Sequence, residues 1–227
     1  MQGILFRADV WKAKFKVLKE KGEAQTRRLS GLKEINKEPD RWRIEGQLTP
    51  DMWAFTDGEK HIGVKPRYQI GEVAYIQEAW AEFGDTSEAV RNGDLTPSEA
   101  KEFVIYRLGH KDWQGILRDI ENGHEWNIKS PLFMPAWAAR HFITITGIKE
   151  GRLQEMTEED AMAEGVDWYS IENKIEGVGR CQQAYRKLWD LINPKYPWDS
   201  NPWNFAYSFK LIDKLMEARI SSPRAIT

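Results

Sequence analysis

Gly71-Glu72-Val73-Ala74-Tyr75-Ile76, followed by Gln77-Glu78-Ala79-Trp80, is the stretch on which the fold turns. A glycine start and a Val-Ala-Tyr-Ile run give the composition of a buried strand. Upstream, Trp42 to Glu45 and Trp53 to Val64 are strand candidates, the second folded on itself at Asp57-Gly58, a strong hairpin signal. Nearer the start, residues 3–7 read as a short strand, and Asp9 caps a helix with Trp11, Phe15 and Leu18 on one stripe and Gly22 at its end. Gln25-Thr26-Arg27-Arg28 then reads as a turn at the helix terminus.

Downstream, residues 81–130 have the look of an acidic, Gly- and Asn-punctuated insertion with one strand at Phe103 to Tyr106 and little apolar periodicity. Phe142 to Thr146 alternates as a strand. Thr157 opens a short helix with Asp160 at its third position, Met156 stapled onto Ala161, and Gly165 closing it. A longer helix from about Cys181 to Ile192 buries Tyr185, Leu188 and Trp189, and Pro194 and Pro197 stop it. Trp203 to Ile212 alternates Phe205, Tyr207 and Phe209 as a last strand. Strands dispersed among a few helices, without βαβ alternation, predict an α+β fold with a curled, barrel-like sheet: one domain over 1–212, with 213–227 as a C-terminal helix or tail.

The composition of the 227-residue chain, 41% hydrophobic and 30% charged, is that of an ordinary globular protein, but eleven Trp exceed what one core needs. A single cysteine, Cys181, excludes an internal disulfide and fits a reducing compartment. His61, His110, His124 and His141 are scattered without metal-ligand spacing, so no metal and no cofactor is expected. The residues from Met1 to Lys16 lack a signal-peptide apolar run, and no run of apolar residues is long enough for a membrane span. A cytoplasmic protein with no membrane partner is expected. The net charge of -2 is unevenly spread: residues 1–43 carry twelve Lys/Arg against six Asp/Glu, a net of +6, leaving -8 for the rest.

Four stretches carry a resemblance: Gly22-Glu23-Ala24-Gln25-Thr26-Arg27-Arg28, then residues 71–80, then Met134-Pro135-Ala136-Trp137-Ala138-Ala139-Arg140, and Trp198-Asp199-Ser200-Asn201-Pro202-Trp203. In order and spacing they resemble the ASCH-domain proteins of phages and prophages. The resemblance implies a PUA-like β-barrel with flanking helices and a cleft lined by the turn at Thr26. It also implies RNA or a modified nucleobase as partner, with hydrolysis of N4-acetylcytidine by a Lys, a Thr and a Glu in small members. The Thr corresponds to Thr26 and the Glu to Glu164. The family's Lys position is Glu23 here, which cannot neutralise an oxyanion, so Lys21 is the substitute amine nearest in sequence.

Binding survives the loss of that Lys. Arg27 and Arg28 offer planar forks for phosphate or a base edge, or else pair with Glu78 or Glu164. Trp80, Trp137 and Trp203 are stacking platforms for an unpaired base, or core fillers. Glu78, at the end of the buried strand, is placed to accept from a base amino group or to pair with an arginine. Glu164, where the helix dipole disfavours a carboxylate, needs a basic partner or a ligand. The expectation is RNA or modified-nucleobase binding, with a modified-nucleoside hydrolase or ribonuclease as the enzymatic alternative, and a phage-encoded protein engaging a host factor through 81–130 as a third.

Overall fold

In the computed structural model the chain is mixed α+β; the structure describes residues 1–107, 113–123, 125–166 and 180–212. The strands are β1 (Gln2–Leu5), β2 (Ala24–Arg28), β3 (Arg43–Thr49), β4 (Met52–Thr56), β5 (His61–Val64), β6 (Val73–Gln77), β7 (Trp80–Phe83), β8 (Val104–Tyr106), β9 (Trp126–Lys129), β10 (Phe142–Arg152) and β11 (Trp203–Leu211). The helices are α1 (Ala8–Lys21), α2 (Thr86–Asn92), α3 (Pro97–Ala100), α4 (Trp113–Glu121), α5 (Glu158–Ala163) and α6 (Arg180–Ile192). The expected tail at 213–227 lies outside the described residues. Two compact units share the described residues: those within 1–12, 73–144 and 211–212 form one, and those within 13–72 and 145–210 form the other.

In the first unit β6 pairs with β1 in parallel, Ile4 opposite Ile76, and with the first residues of β10 antiparallel, Phe142 opposite Tyr75. β6 is flanked on both sides, by β1 along residues 74–77 and by β10 along residues 73–75, a central position that suits its apolar, β-favouring residues. Trp80, Met134, Ala138, Ala139 and Phe142 form the core here, so the Met134 to Arg140 stretch is largely a packing element. Residues 81–130 are more regular than their composition suggests. β7 pairs with both β8 and β9, α3 starts with a capping box between Thr96 and Glu99, and α4 places Trp113, Ile116, Leu117 and Ile120 at helical spacing, a periodicity the sequence reading passed over.

In the second unit β11 lies between β10 and β2, with Tyr207 opposite Thr26 and Phe209 opposite Ala24. A separate meander, β3-β4-β5, turns at Asp57, whose carboxylate accepts from the backbone N–H of Glu59 at 2.9 Å and Lys60 at 2.7 Å. α5 begins as its sequence requires, with Thr157 and Asp160 in a reciprocal cap. α6 buries Tyr185 and Trp189 against Leu153, Met156 and Trp198. Among the described residues no sheet closes on itself.

Candidate functional site

Gln25 to Arg28 form a strand, not the expected turn. β2 finds its hydrogen bonds on β11 and forms the end of that ladder, and α5 packs against it. Period two puts Gln25 and Arg27 on one face and Thr26 and Arg28 on the other.

Arg27 is held at every tip. Its Nη1 donates to Gln25 Oε1 at 2.7 Å and to Glu164 Oε1 at 3.2 Å, and its Nη2 lies 3.0 Å from Asp160 Oδ2. The guanidinium sits 6.0 Å from the centroid of the Tyr185 ring. On the other side of Glu164 stands a residue the sequence reading passed over. Lys14 Nζ donates to Glu164 Oε2 at 2.6 Å, to the Glu164 carbonyl at 2.8 Å and to the Gln25 carbonyl at 2.6 Å, so all three ammonium donors are used. The side chains of Lys14, Glu164 and Arg27 are 1%, 3% and 4% exposed, and Asp160, at 17%, is the member that meets solvent.

Gly165 makes this approach possible. Its φ of +83° is left-handed, and a Cβ there would stand 2.9 Å from the Lys14 backbone nitrogen and 3.0 Å from the Ala13 carbonyl carbon. Only a glycine lets the end of α5 lie against α1, which brings Glu164 within reach of the ammonium. Burial is the largest influence on Lys14 and pulls its pKa down, and the Glu164 charge opposes it. Burial, reinforced by Glu164, pushes the Tyr185 phenol well above its ordinary value. Arg28 lies within electrostatic reach of Tyr68, Glu164 and Tyr185; burial pulls its pKa down, from a value so high that the group stays charged.

Glu164 and Arg27 thus meet as expected, but in a closed ion cluster. Thr26 is buried on the opposite face of β2. Lys21 is exposed at the end of α1, and the amine beside Glu164 is that of Lys14, two turns earlier. Glu23 accepts a hydrogen bond from the Thr146 hydroxyl at 2.5 Å and takes no part in the cluster. The signal for Lys14 was its spacing: it falls at i+3 from Trp11 on the stripe that also carries Phe15 and Leu18. A small cleft of about 20 Å³ opens beside Arg27, lined also by Lys149, Arg152, Asp160 and Asn204.

The tryptophans are mostly structural. Trp203 is buried, donates from Nε1 to the Pro39 carbonyl at 3.0 Å and meets Phe55 edge-on at 5.2 Å. In the first unit Trp80 is 1% exposed and packs edge-on to the half-buried Trp137 at 6.3 Å, so it presents no face for stacking. Its indole nitrogen is a buried donor without a hydrogen-bond partner among the described residues. Glu78 pairs not with Arg27 or Arg28 but with Arg140, whose Nε and Nη2 donate to its two oxygens at 2.9 and 2.7 Å. Arg140 in turn lies over the Tyr106 ring at 4.7 Å, and burial pushes the Tyr106 phenol up to about 12.

Among the described residues no cluster of three or more His, Cys, Asp or Glu is arranged to hold a metal ion, and no helix is long and apolar enough to cross a membrane. No protein-family model, curated protein or solved structure matches this chain.

Proposed function

We propose that this chain is an ASCH-type, PUA-like protein that binds RNA or a modified nucleobase at Arg27. The observation that carries the reading is the way Arg27 is held. Its inner nitrogen is anchored by Gln25 and Glu164, while among the described residues its outer nitrogen is neutralised only by Asp160, the cluster's solvent-facing acid. The adjoining cleft is too small to enclose a ligand, so a phosphate or a base edge would approach its mouth from solvent and take the place of that carboxylate, exchanging one charge-assisted pair for another. Burying four charges is expensive and gains little stability over apolar packing, so a ligand role accounts for the cluster better than stability does.

Asp160→Asn keeps an acceptor for the cap of α5 and removes the competing charge, so it should tighten binding of single-stranded RNA by roughly two- to fivefold, the worth of a partly exposed pair. Arg27→Ala should weaken binding and lower the salt slope by about 0.7 for each phosphate the arginine neutralises. RNA retention unchanged in both variants would remove the proposal.

A hydrolytic reading is favoured by one specific feature: Lys14 restores an amine beside Glu164, bonded to the carbonyl that precedes Thr26. It requires N4-acetylcytidine turnover that is lost in Thr26→Ala and in Lys14→Met. Absence of product at high protein concentration would dispose of it.

A further inference from the structure

The first unit contains a hollow of about 190 Å³ that belongs to neither Arg27 nor the Lys14 cluster. It is smaller than the roughly 300–1,000 Å³ pockets that take drug-sized ligands, so it admits about one ring system. Its walls come from Phe6, Trp11 and Pro131. Phe6 and Trp11 are stacked nearly parallel, 5.6 Å between centroids at 21°, which fixes both rings. Glu78 also lines it, and this carboxylate is itself more than nine-tenths buried. Arg140 occupies one acceptor position on each Glu78 oxygen, out of about four on the group, so the clamp fixes the carboxylate plane and leaves acceptor capacity over. Two further arginines line the hollow. Among the described residues the half-exposed Arg7 pairs only with the exposed Asp9, at 3.3 Å, and the exposed Arg107 makes no ion pair.

We infer that this hollow is a second site, taking one nucleoside monophosphate whose base carries an exocyclic amino group. The flat base lies along the aromatic and proline walls. Its amino group donates to Glu78, the pairing by which a carboxylate selects cytosine in grooves. The phosphate meets Arg107 and Arg7, the latter exchanging a weak surface pair for a stronger one. A uracil would turn a carbonyl oxygen toward the carboxylate, and the two acceptors repel. The ion pair of Glu78 with Arg140 is internally neutral, so the arginines on the lining give the site its preference for an anion.

The site stands whether or not Arg27 binds RNA, because the two involve different residues in different units. It is tested by titrating the full chain with CMP, AMP and UMP, reading tryptophan fluorescence and heat. CMP and AMP should bind at least about tenfold more tightly than UMP. Glu78→Gln, which can donate as well as accept, should erase that preference while keeping affinity for UMP. Arg107→Ala should weaken all three nucleotides alike and leave cytidine unaffected. Arg27→Ala should leave CMP binding as it was. A pentacytidylate arm separates sources: affinity equal to that for CMP indicates a free nucleotide, and tighter binding that survives Arg27→Ala indicates a strand. Equal binding of CMP and UMP, or no binding of either at millimolar concentration, would overturn the inference.

Discussion

Replacing Lys14 by Met keeps the length of the side chain and removes its ammonium. Three acceptors then lose their donor: the carbonyls of Gln25 and Glu164 and one oxygen of the Glu164 carboxylate. Breaking a buried ion pair from one side costs about 3–5 kcal/mol, because the remaining charge is left desolvated. Glu164 keeps Arg27 at 3.2 Å, so the lower end, about 3 kcal/mol, is expected. With a urea slope of up to about 3 kcal/mol/M, the midpoint should fall by at least about 1 M, read by tryptophan fluorescence. Adding Glu164→Gln removes the stranded charge, and the double variant should be less destabilised than the sum of the single ones by about 1–3 kcal/mol. Lys14 also leaves a pH signature. Its folded pKa is lowered by burial, so between that value and its ordinary one the unfolded chain holds a proton the folded chain has lost. Stability should therefore climb with pH through that window, and Lys14→Met should flatten the climb. A single variant within about 1 kcal/mol of the parent, or strict additivity in the cycle, would refute the reasoning.

Tyrosines act with the opposite sign. Burial pushes the phenols of Tyr106 and Tyr207 up to about 12, so the folded state keeps protons that the unfolded state releases above its ordinary value. Each should contribute roughly 2–3 kcal/mol that is present below about pH 10 and lost as pH rises to about 12. In an absorbance titration of tyrosinate, all seven tyrosines ionising near pH 10 with the fold intact would contradict this. Gly165→Ala would place a methyl against the backbone of Ala13 and Lys14 at a left-handed φ, and should cost about 1–3 kcal/mol in chemical denaturation; a neutral result would mean α1 and α5 do not approach as described. Asn36→Leu strands both backbone groups of Trp203, bonded to the amide at 2.8 and 2.9 Å, and should cost roughly 2–4 kcal/mol; a shift below about 1 kcal/mol would show that those groups find other partners.

Much of the local architecture was legible from the residues. The Thr157 cap, the Asp57-Gly58 turn, the buried strand after Gly71 and the alternation of Phe205, Tyr207 and Phe209 all depend on interactions within a few residues, and the chain records them as composition and spacing. The convergence of Arg27 with Glu164 was legible only through the pattern of separated motifs.

What the tertiary structure decided is the partner of each charge. Gln25 to Arg28 became a strand because β11 supplies hydrogen bonds from the far end of the chain, and no turn signal competes with a complete ladder. Lys14 changed from a surface lysine to a buried ammonium because Glu164, 150 residues away, arrives beside a glycine that leaves it room. Glu78 was given to Arg140, 62 residues on, and a hollow formed with Phe6 and Trp11 on its lining. A sequence fixes which groups must be satisfied. Only the folded chain fixes by which neighbours, because desolvation makes every buried charge depend on contacts that no local spacing encodes.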